Sequence, residues 1–301
     1  MSFCKKVKNE ICSAKLERNC CVKAFLNSAF SFFNTVSSDR IKMNIESKEV
    51  ASYLNELMAS FFKEYDDIQF KPIKNHKGYT LDIKDKDTIL YIAKKLSLYN
   101  KRTNQISGNL NDDFSINPCC QRMATIGAFL VSGSVTNPQR AYHFEISNRK
   151  KDNLHKINEI LVSMDFFPKI IKRGSEYVLY IKEKEMIADM LNFLNCKETF
   201  FEYHDAIILK DKKNQLNRQL NCESANMDKT VNAAVHQIMA IRNLKESGRF
   251  DLLSDSLKEI ANLRLENPDA SLTELAQLSK TPITRSGINH RLKKIIEFEG
   301  K

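Results

Sequence analysis

The chain has no apolar run long enough to cross a bilayer. Its longest weakly polar stretch, Ala124 to Val135, falls well short of the ~20 residues that a spanning helix needs. The opening MSFCKKVKNEICS carries charge but no apolar segment, so no export signal is expected. No cysteine stands in a Cys-x-x-Cys arrangement, and no histidine lies close in sequence to a cysteine pair. The histidines are scattered, and no Ser/His/Asp grouping is visible. Glycine is scarce, and Gly127 and Gly133 sit in a helical pattern rather than in a phosphate-cradling loop. These absences set aside membrane transport, secreted disulfide scaffolds and phosphate-loop chemistry. Without an export signal, eight cysteines read as reduced thiols in a cytoplasmic protein.

What the chain does have is a duplication. CCVKAFLNSAFSFFNTV at 20–36 matches CCQRMATIGAFLVSGSV at 119–135 at equal length. IKMNIES (41–47) lies against YHFEISN (142–148) after a two-residue slip, LNELMAS (54–60) against INEILVS (157–163), and GYTLDIKDKDTI (78–89) against EYVLYIKEKEMI (176–187). Four blocks in one order imply two similar subdomains about a pseudo-twofold axis, not a solenoid, whose units are shorter. The repeats span about 19–98 and 118–194 within a first domain of 1–209. A helical linker at 210–250 and a small all-α domain at 251–301 follow.

Each repeat reads helix, two strands, helix, two strands, helix. In the second copy, Arg122 to Ser132 forms the first helix, and strands follow near Ser134-Val135 and from Tyr142 to Ser147. Asn153 to Met164 repeats apolar residues at helical spacing. Lys169 to Lys172 and Tyr177 to Lys182 pair across Arg173-Gly174-Ser175, and Glu185 to Leu194 closes the unit. Helices on one face of an antiparallel sheet give an α+β class. Cys20-Cys21 and Cys119-Cys120 open the first helix of each repeat. Neighbouring side chains on a helix diverge by about 100°, so each pair is expected to pack rather than to hold a metal. No cofactor or metal site is expected.

The stretch TIGAFLVSG at 125–133 resembles the LAGLIDADG helix of homing endonucleases. The resemblance implies two such helices packed at the pseudo-twofold axis. In nucleases of that family each helix ends in an acid that holds catalytic metal. Here Ser132 takes that position in the second repeat. Phe33 takes it in the first, with Asn34 where glycine would be. Two-metal cleavage needs hard anionic oxygens at both metals. Neither 29–38 nor 128–137 contains an acid. A degenerate, non-catalytic module without catalytic residues is therefore expected.

The C-terminal part reads as a helix-turn-helix. Leu253, Leu257, Ile260 and Ala261 form an apolar stripe that ends at Asn267-Pro268-Asp269. Ser271 and Glu274 fit a capping box ahead of a short helix, which Ser279 to Pro282 breaks. A third helix runs from near Thr284 to about Phe298, with Ile288, Leu292, Ile295 and Ile296 inward. Residues 280–294 hold Lys280, Arg285, Arg291, Lys293 and Lys294 and no acid. Ser286, Asn289 and His290 are suited to base edges near the helix start, with Arg285 beside them. Arg291, Lys293 and Lys294 are suited to phosphates. Upstream, the amide-rich 217–226 segment offers Arg218, Asn221 and Asn226, with Lys229 just beyond, either to nucleic acid or to brace the module.

SGINHRLKKI at 286–295, and NR followed by NCESAN within 217–226, resemble the bacterial WhiA family. That resemblance implies a degenerate LAGLIDADG module followed by a helix-turn-helix, in regulators tied to sporulation, cell division and chromosome segregation. The net charge of +10 agrees with a polyanionic partner. The expected protein is a non-catalytic, sequence-specific binder of double-stranded DNA that regulates transcription in the cytoplasm, at the nucleoid. RNA polymerase or a sigma factor is a further expected partner, and no membrane is. Two alternatives stay open: a scaffold for a polymerase component or division protein, and a metal-dependent DNA endonuclease.

Overall fold

The duplication appears as two antiparallel sheets with one strand plan. The computed structural model describes residues 1–64, 68–74, 76–100, 102–110 and 117–300. The chain divides into two units, Met1–Lys210 and Asp211–Lys301.

The first unit opens with α1 (Phe3–Ser13), which the repeat pattern did not anticipate. It buries Phe3, Val7 and Ile11, spaced at i, i+4, i+8 on one stripe. The first repeat follows as α2 (Asn19–Ser31), β1 (Thr35–Val36), β2 (Ile41–Ile45), α3 (Lys48–Phe61), β3 (Lys71–Pro72), β4 (Tyr79–Ile83) and α4 (Lys86–Lys95). A two-stranded ribbon, β5 (Tyr99–Asn100) with β6 (Gln105–Ile106), comes next. The second repeat is α5 (Pro118–Ser132), β7 (Gly133–Val135), β8 (Phe144–Asn148), α6 (Lys151–Val162), β9 (Lys169–Arg173), β10 (Glu176–Ile181) and α7 (Lys184–Phe193). The sheets run β1-β2-β4-β3 and β7-β8-β10-β9. Both repeats thus place the same strands side by side. The class is α+β, duplicated, with an all-α unit after it.

Strand register corrects one block of the sequence alignment. Ile41 pairs with Ile83 and Val36, while Phe144 pairs with Ile181 and Val135. Ile41 is therefore the counterpart of Phe144, not of Tyr142, and the extra residues before β8 number four rather than two. A two-residue shift leaves the buried face of a strand unchanged, so the hydrophobic pattern could not expose the error. Ile41, Met43 and Ile45 are buried on one strand, and Phe144, Ile146 and Asn148 on the other.

α2 and α5 lie against each other at the centre of the unit. A Cβ on Gly127 would stand 2.4 Å from the Phe25 carbonyl oxygen and 3.3 Å from the Ala29 nitrogen. Only glycine permits this backbone approach. Ala24, Ala29, Ala124 and Ala128 are fully buried around it. Such small side chains let the two helices serve as the shared core of both repeats.

The same pairing corrects the reading of the cysteines. The sulfurs of Cys20, Cys21, Cys119 and Cys120 all lie within 4.8 Å of one another. A 100° divergence still leaves adjacent first-turn sulfurs near each other, 3.9 Å for Cys119 and Cys120. The pairing of α2 with α5 then brings the two pairs together.

α8 (Lys197–Glu246) is one helix of 50 residues, so the helicity expected at 210–250 starts earlier. Its first turn is capped by Glu10. One carboxylate oxygen accepts from the Glu198 N–H at 2.7 Å, and the other accepts from the Thr199 N–H at 3.0 Å. An acid at the positive end of a helix is stabilising. After α8 the second unit has a short 3-10 turn (Arg249–Leu252), then α9 (Asp255–Glu266), α10 (Leu272–Leu278) and α11 (Arg285–Glu299). No helix among the described residues is long and apolar enough to cross a membrane.

Candidate nucleic-acid interface

The second unit is built round one small core. Ile241 and Leu244 of α8 join Leu253, Ile260 and Ala261, Leu275 of α10, and Ile288, Leu292 and Ile295 of α11. The last three lie at i, i+4 and i+7, so α11 turns one stripe inward and presents the rest outward.

Polar pins fix the two turns. The Ser271 hydroxyl accepts from the Glu274 N–H at 3.2 Å, and the Glu274 carboxylate accepts from the Ser271 N–H at 2.7 Å. This is the full capping box. The Ser271 backbone N–H and side chain hold the Glu274 carboxyl below its ordinary range. Arg264 is buried and donates to the Ala270 carbonyl at 2.7 Å, which ties the α9–α10 turn. Burial lowers its pKa, yet a guanidinium stays charged inside a protein. Glu259 accepts from the Ser279 hydroxyl at 3.3 Å and from the Lys280 N–H at 3.2 Å, which holds the turn before α11.

α11 starts sharply. The Thr284 hydroxyl accepts from the Gly287 N–H at 3.2 Å. A Cβ on Gly287 would stand 2.6 Å from Ile283 Cγ1, so glycine lets the turn close onto the helix. At the other end Arg249 donates to the carbonyls of Phe298 at 2.8 Å and Glu299 at 3.3 Å. A cation there complements the negative end of the helix.

The outward face of α11 carries the residues singled out in the sequence. Arg285, Ser286, His290, Lys293 and Lys294 are exposed, and Asn289 and Arg291 are half-buried. At about 100° per residue, Arg285 and Asn289 share one flank, Arg291 takes the other, and His290, Lys293 and Lys294 lie between. Glu297 falls on that same central face near the far end, so the basic surface covers the first turns of α11.

The upstream set divides. A cleft of about 380 Å³ is lined by Lys229, Thr230 and Gln237 of α8, Arg264, Thr273, and Arg285 and Asn289 of α11, among others. Lys229 therefore joins the α11 residues. Arg218, Asn221 and Asn226 lie exposed on α8 and do not line this cleft. The Asn226 amide lies 3.7 Å from the Cys222 sulfur, within its own helix. Sequence reasoning missed Thr230, Gln237, Arg264 and Thr273. Buried Gln237 Oε1 and Arg264 Nε have no hydrogen-bond partner among the described residues. The available signal was the small pair Ala233 and Ala234 one turn before Gln237, on the side of α8 that lines the cleft.

In the first unit, the axis ends where LAGLIDADG-type acids would sit hold no carboxylate. Phe33 is buried, stacked on Phe30 at 4.4 Å and edge-on to Phe70 at 6.2 Å. The Ser132 hydroxyl donates to the Ala128 carbonyl at 2.9 Å, one turn back. The Ser31 carbonyl at the end of α2 accepts from Asn153 at 2.9 Å and from Asn148 at 3.3 Å. The cavity at this end is lined by Phe33, Ser132, Arg149 and Lys150, with Glu176 as its acid.

A duplicated α+β module with paired axis helices, joined to a helix-turn-helix with a basic third helix, defines a class of protein. The comparisons agree with it. Residues 22–107 and 121–213 match the WhiA LAGLIDADG-like domain, and 216–299 match the WhiA C-terminal HTH domain. A protein of Caldicellulosiruptor saccharolyticus named "Probable cell division protein WhiA" is 34% identical over 98% of this chain and 94% of its own length. A Clostridium botulinum protein of the same name is 31% identical over 98% of this chain and 96% of its own. Among solved structures, full-length DUF199/WhiA from Thermatoga maritima aligns over 100% of this chain and 98% of its own, with a TM-score of 0.61 and 22% identity. The chain belongs to the WhiA family.

Proposed function

We propose that the protein is a non-catalytic, sequence-specific DNA-binding regulator of transcription, acting in cell division and chromosome segregation. The observation that carries this reading is the α11 surface. An exposed basic face continues into a polar cleft where Arg285 and Asn289 meet Lys229. In a helix-turn-helix the start of the third helix reaches base edges in the major groove. We assign Arg285, Ser286, Asn289 and His290 to that task, and Arg291, Lys293 and Lys294 to phosphates. Lys229 adds a cation from the neighbouring helix, whereas Arg218, Asn221 and Asn226 are assigned a weaker, backbone-level role. The relatives' names as probable cell division proteins support the cellular setting.

The nuclease reading is disfavoured by Phe33 and Ser132, which leave the axis helices without ligands for two metals. Genome-wide recovery of DNA crosslinked to the full chain tests the proposal. Discrete sites are expected, and they should vanish when Asn289, His290, Lys293 and Lys294 are all replaced by Ala in a chain that keeps its circular dichroism. Equal recovery with that variant sinks α11 as the reading head.

A further inference from the structure

The structure assigns a single-ion, tetrathiolate metal site to Cys20, Cys21, Cys119 and Cys120, with Zn²⁺ as the occupant its chemistry fits. The four sulfurs lie within 4.8 Å of one another. A Zn²⁺ ion with four thiolates at about 2.3 Å needs sulfur–sulfur edges of about 3.8 Å. Cys119 and Cys120 already stand 3.9 Å apart. None of the four is in a disulfide, which would need sulfurs at about 2.05 Å. An iron–sulfur cluster spreads its thiolates over several irons, and one tight tetrahedron matches a single ion better.

The site is built from both repeats. Each pair occupies the second and third residues of its helix, α2 or α5. Neither helix start has a side-chain cap. The positive helix ends therefore face the sulfurs, which favours thiolates. Cys21 and Cys120 are buried and Cys20 is exposed, so an ion has a path in and a closed shell behind it. Ala24 packs with Cys21, Cys119 and Cys120 in a small cluster, and Met123 links it to the main core.

Thiols must lose their protons to bind the ion, so loading releases protons and weakens as pH falls. Four protein ligands leave no open coordination position, and the role is structural. The ion would clamp the two repeats together at the end of the axis opposite Phe33 and Ser132.

The full chain, purified reduced without a metal-affinity column, should hold one equivalent of zinc by elemental analysis. Replacement by Co²⁺ should give thiolate charge-transfer bands and the visible bands of a tetrahedral ion. Cys20→Ser and Cys119→Ser should each lower Co²⁺ affinity at least tenfold and shift those bands. Cys222→Ser, an exposed cysteine on α8, should change neither. If Cys120→Ser fails to fold, exposed Cys20→Ser still reads the site. The assignment is wrong if the chain binds less than a tenth of an equivalent of Zn²⁺ or Co²⁺. It is equally wrong if the bands persist in the Cys20→Ser/Cys119→Ser double variant, if iron appears with acid-labile sulfide, or if the reduced chain carries a disulfide among the four.

Discussion

In Met1–Lys210 the polar side chains at the ends of the axis helices turn back on the chain itself. Ser132 donates to its own helix, and Asn148 and Asn153 serve the Ser31 carbonyl. In Asp211–Lys301 the polar groups split into two sets. Arg264, Glu259, Ser271 and Glu274 pin turns, while Arg285, His290, Lys293 and Lys294 point outward. The difference teaches where function can lie on each unit. The first keeps its form through close backbone contact, with Phe33 and Ser132 at the ends of its axis helices. The second has a small core, keeps its form through pins, and has charge free for a partner.

The largest expected effect strikes the close contact of the first unit. Gly127→Leu should destabilise the chain by about 3 kcal/mol or more, at the upper end for overpacking, because the first added atom already meets backbone at 2.4 Å. An unchanged denaturation midpoint would break the comparison, since the axis would then not depend on contact. DNA affinity per folded molecule should stay as it was.

The next effect belongs to the second unit and should leave stability alone. Asn289→Ala or His290→Ala should each cost about 1–3 kcal/mol on the preferred site and little on random DNA, as lost base contacts do. Titration of both DNAs with the folded variants checks this. Equal losses on the two would move these residues from base reading to phosphate contact.

A smaller effect should come from the pins. Ser271→Ala removes one half of the capping box and should cost about 1 kcal/mol, read from the melting of the second unit. A loss of DNA affinity without any loss of stability would show that Ser271 also touches the partner, which its position on the cleft permits.

These tests also bear on what could be read without coordinates. The duplication, the order of helices and strands along each repeat and the capping box were legible because each depends on local spacing or on a pattern repeated in order. Three features were not. The loop before β8 hid a two-residue error, because strand faces repeat every two residues. Helix α1 lies outside the repeat, so no second copy pointed to it. The thiol cluster needs residues 99 positions apart to meet at the start of two paired helices. The same pseudo-twofold axis that relates the C-terminal ends of those helices relates their N-terminal cysteine pairs, and neither pair taken alone discloses the cluster. The cleft was half legible: Arg285 and Asn289 followed from the basic helix, but Gln237 and Arg264 needed α8 and α9 placed beside it.

A finer contrast separates charge from reading on α11 itself. Lys293→Ala and Lys294→Ala should weaken binding to all sequences alike. Each lost phosphate contact should flatten the dependence of log affinity on log salt by about 0.9. A steeper or unchanged slope would mean that these lysines do not meet phosphates.

The smallest expected effect is none, and it tests whether the first unit is a scaffold only. Supercoiled DNA should stay uncut by the full chain with Mg²⁺ or Mn²⁺, and Ser132→Asp should not change that. The substitution restores one carboxylate, but two-metal cleavage needs ligands from both axis helices. The first helix offers Phe33, whose ring is locked between Phe30 and Phe70. Arg149 and Lys150 line the same cavity and oppose cation entry, with Glu176 as its acid. Metal-dependent nicking that survives purification and disappears with Glu176→Gln would show that the first unit kept a catalytic carboxylate outside its axis helices. The proposal that the first unit is a scaffold only would then fall.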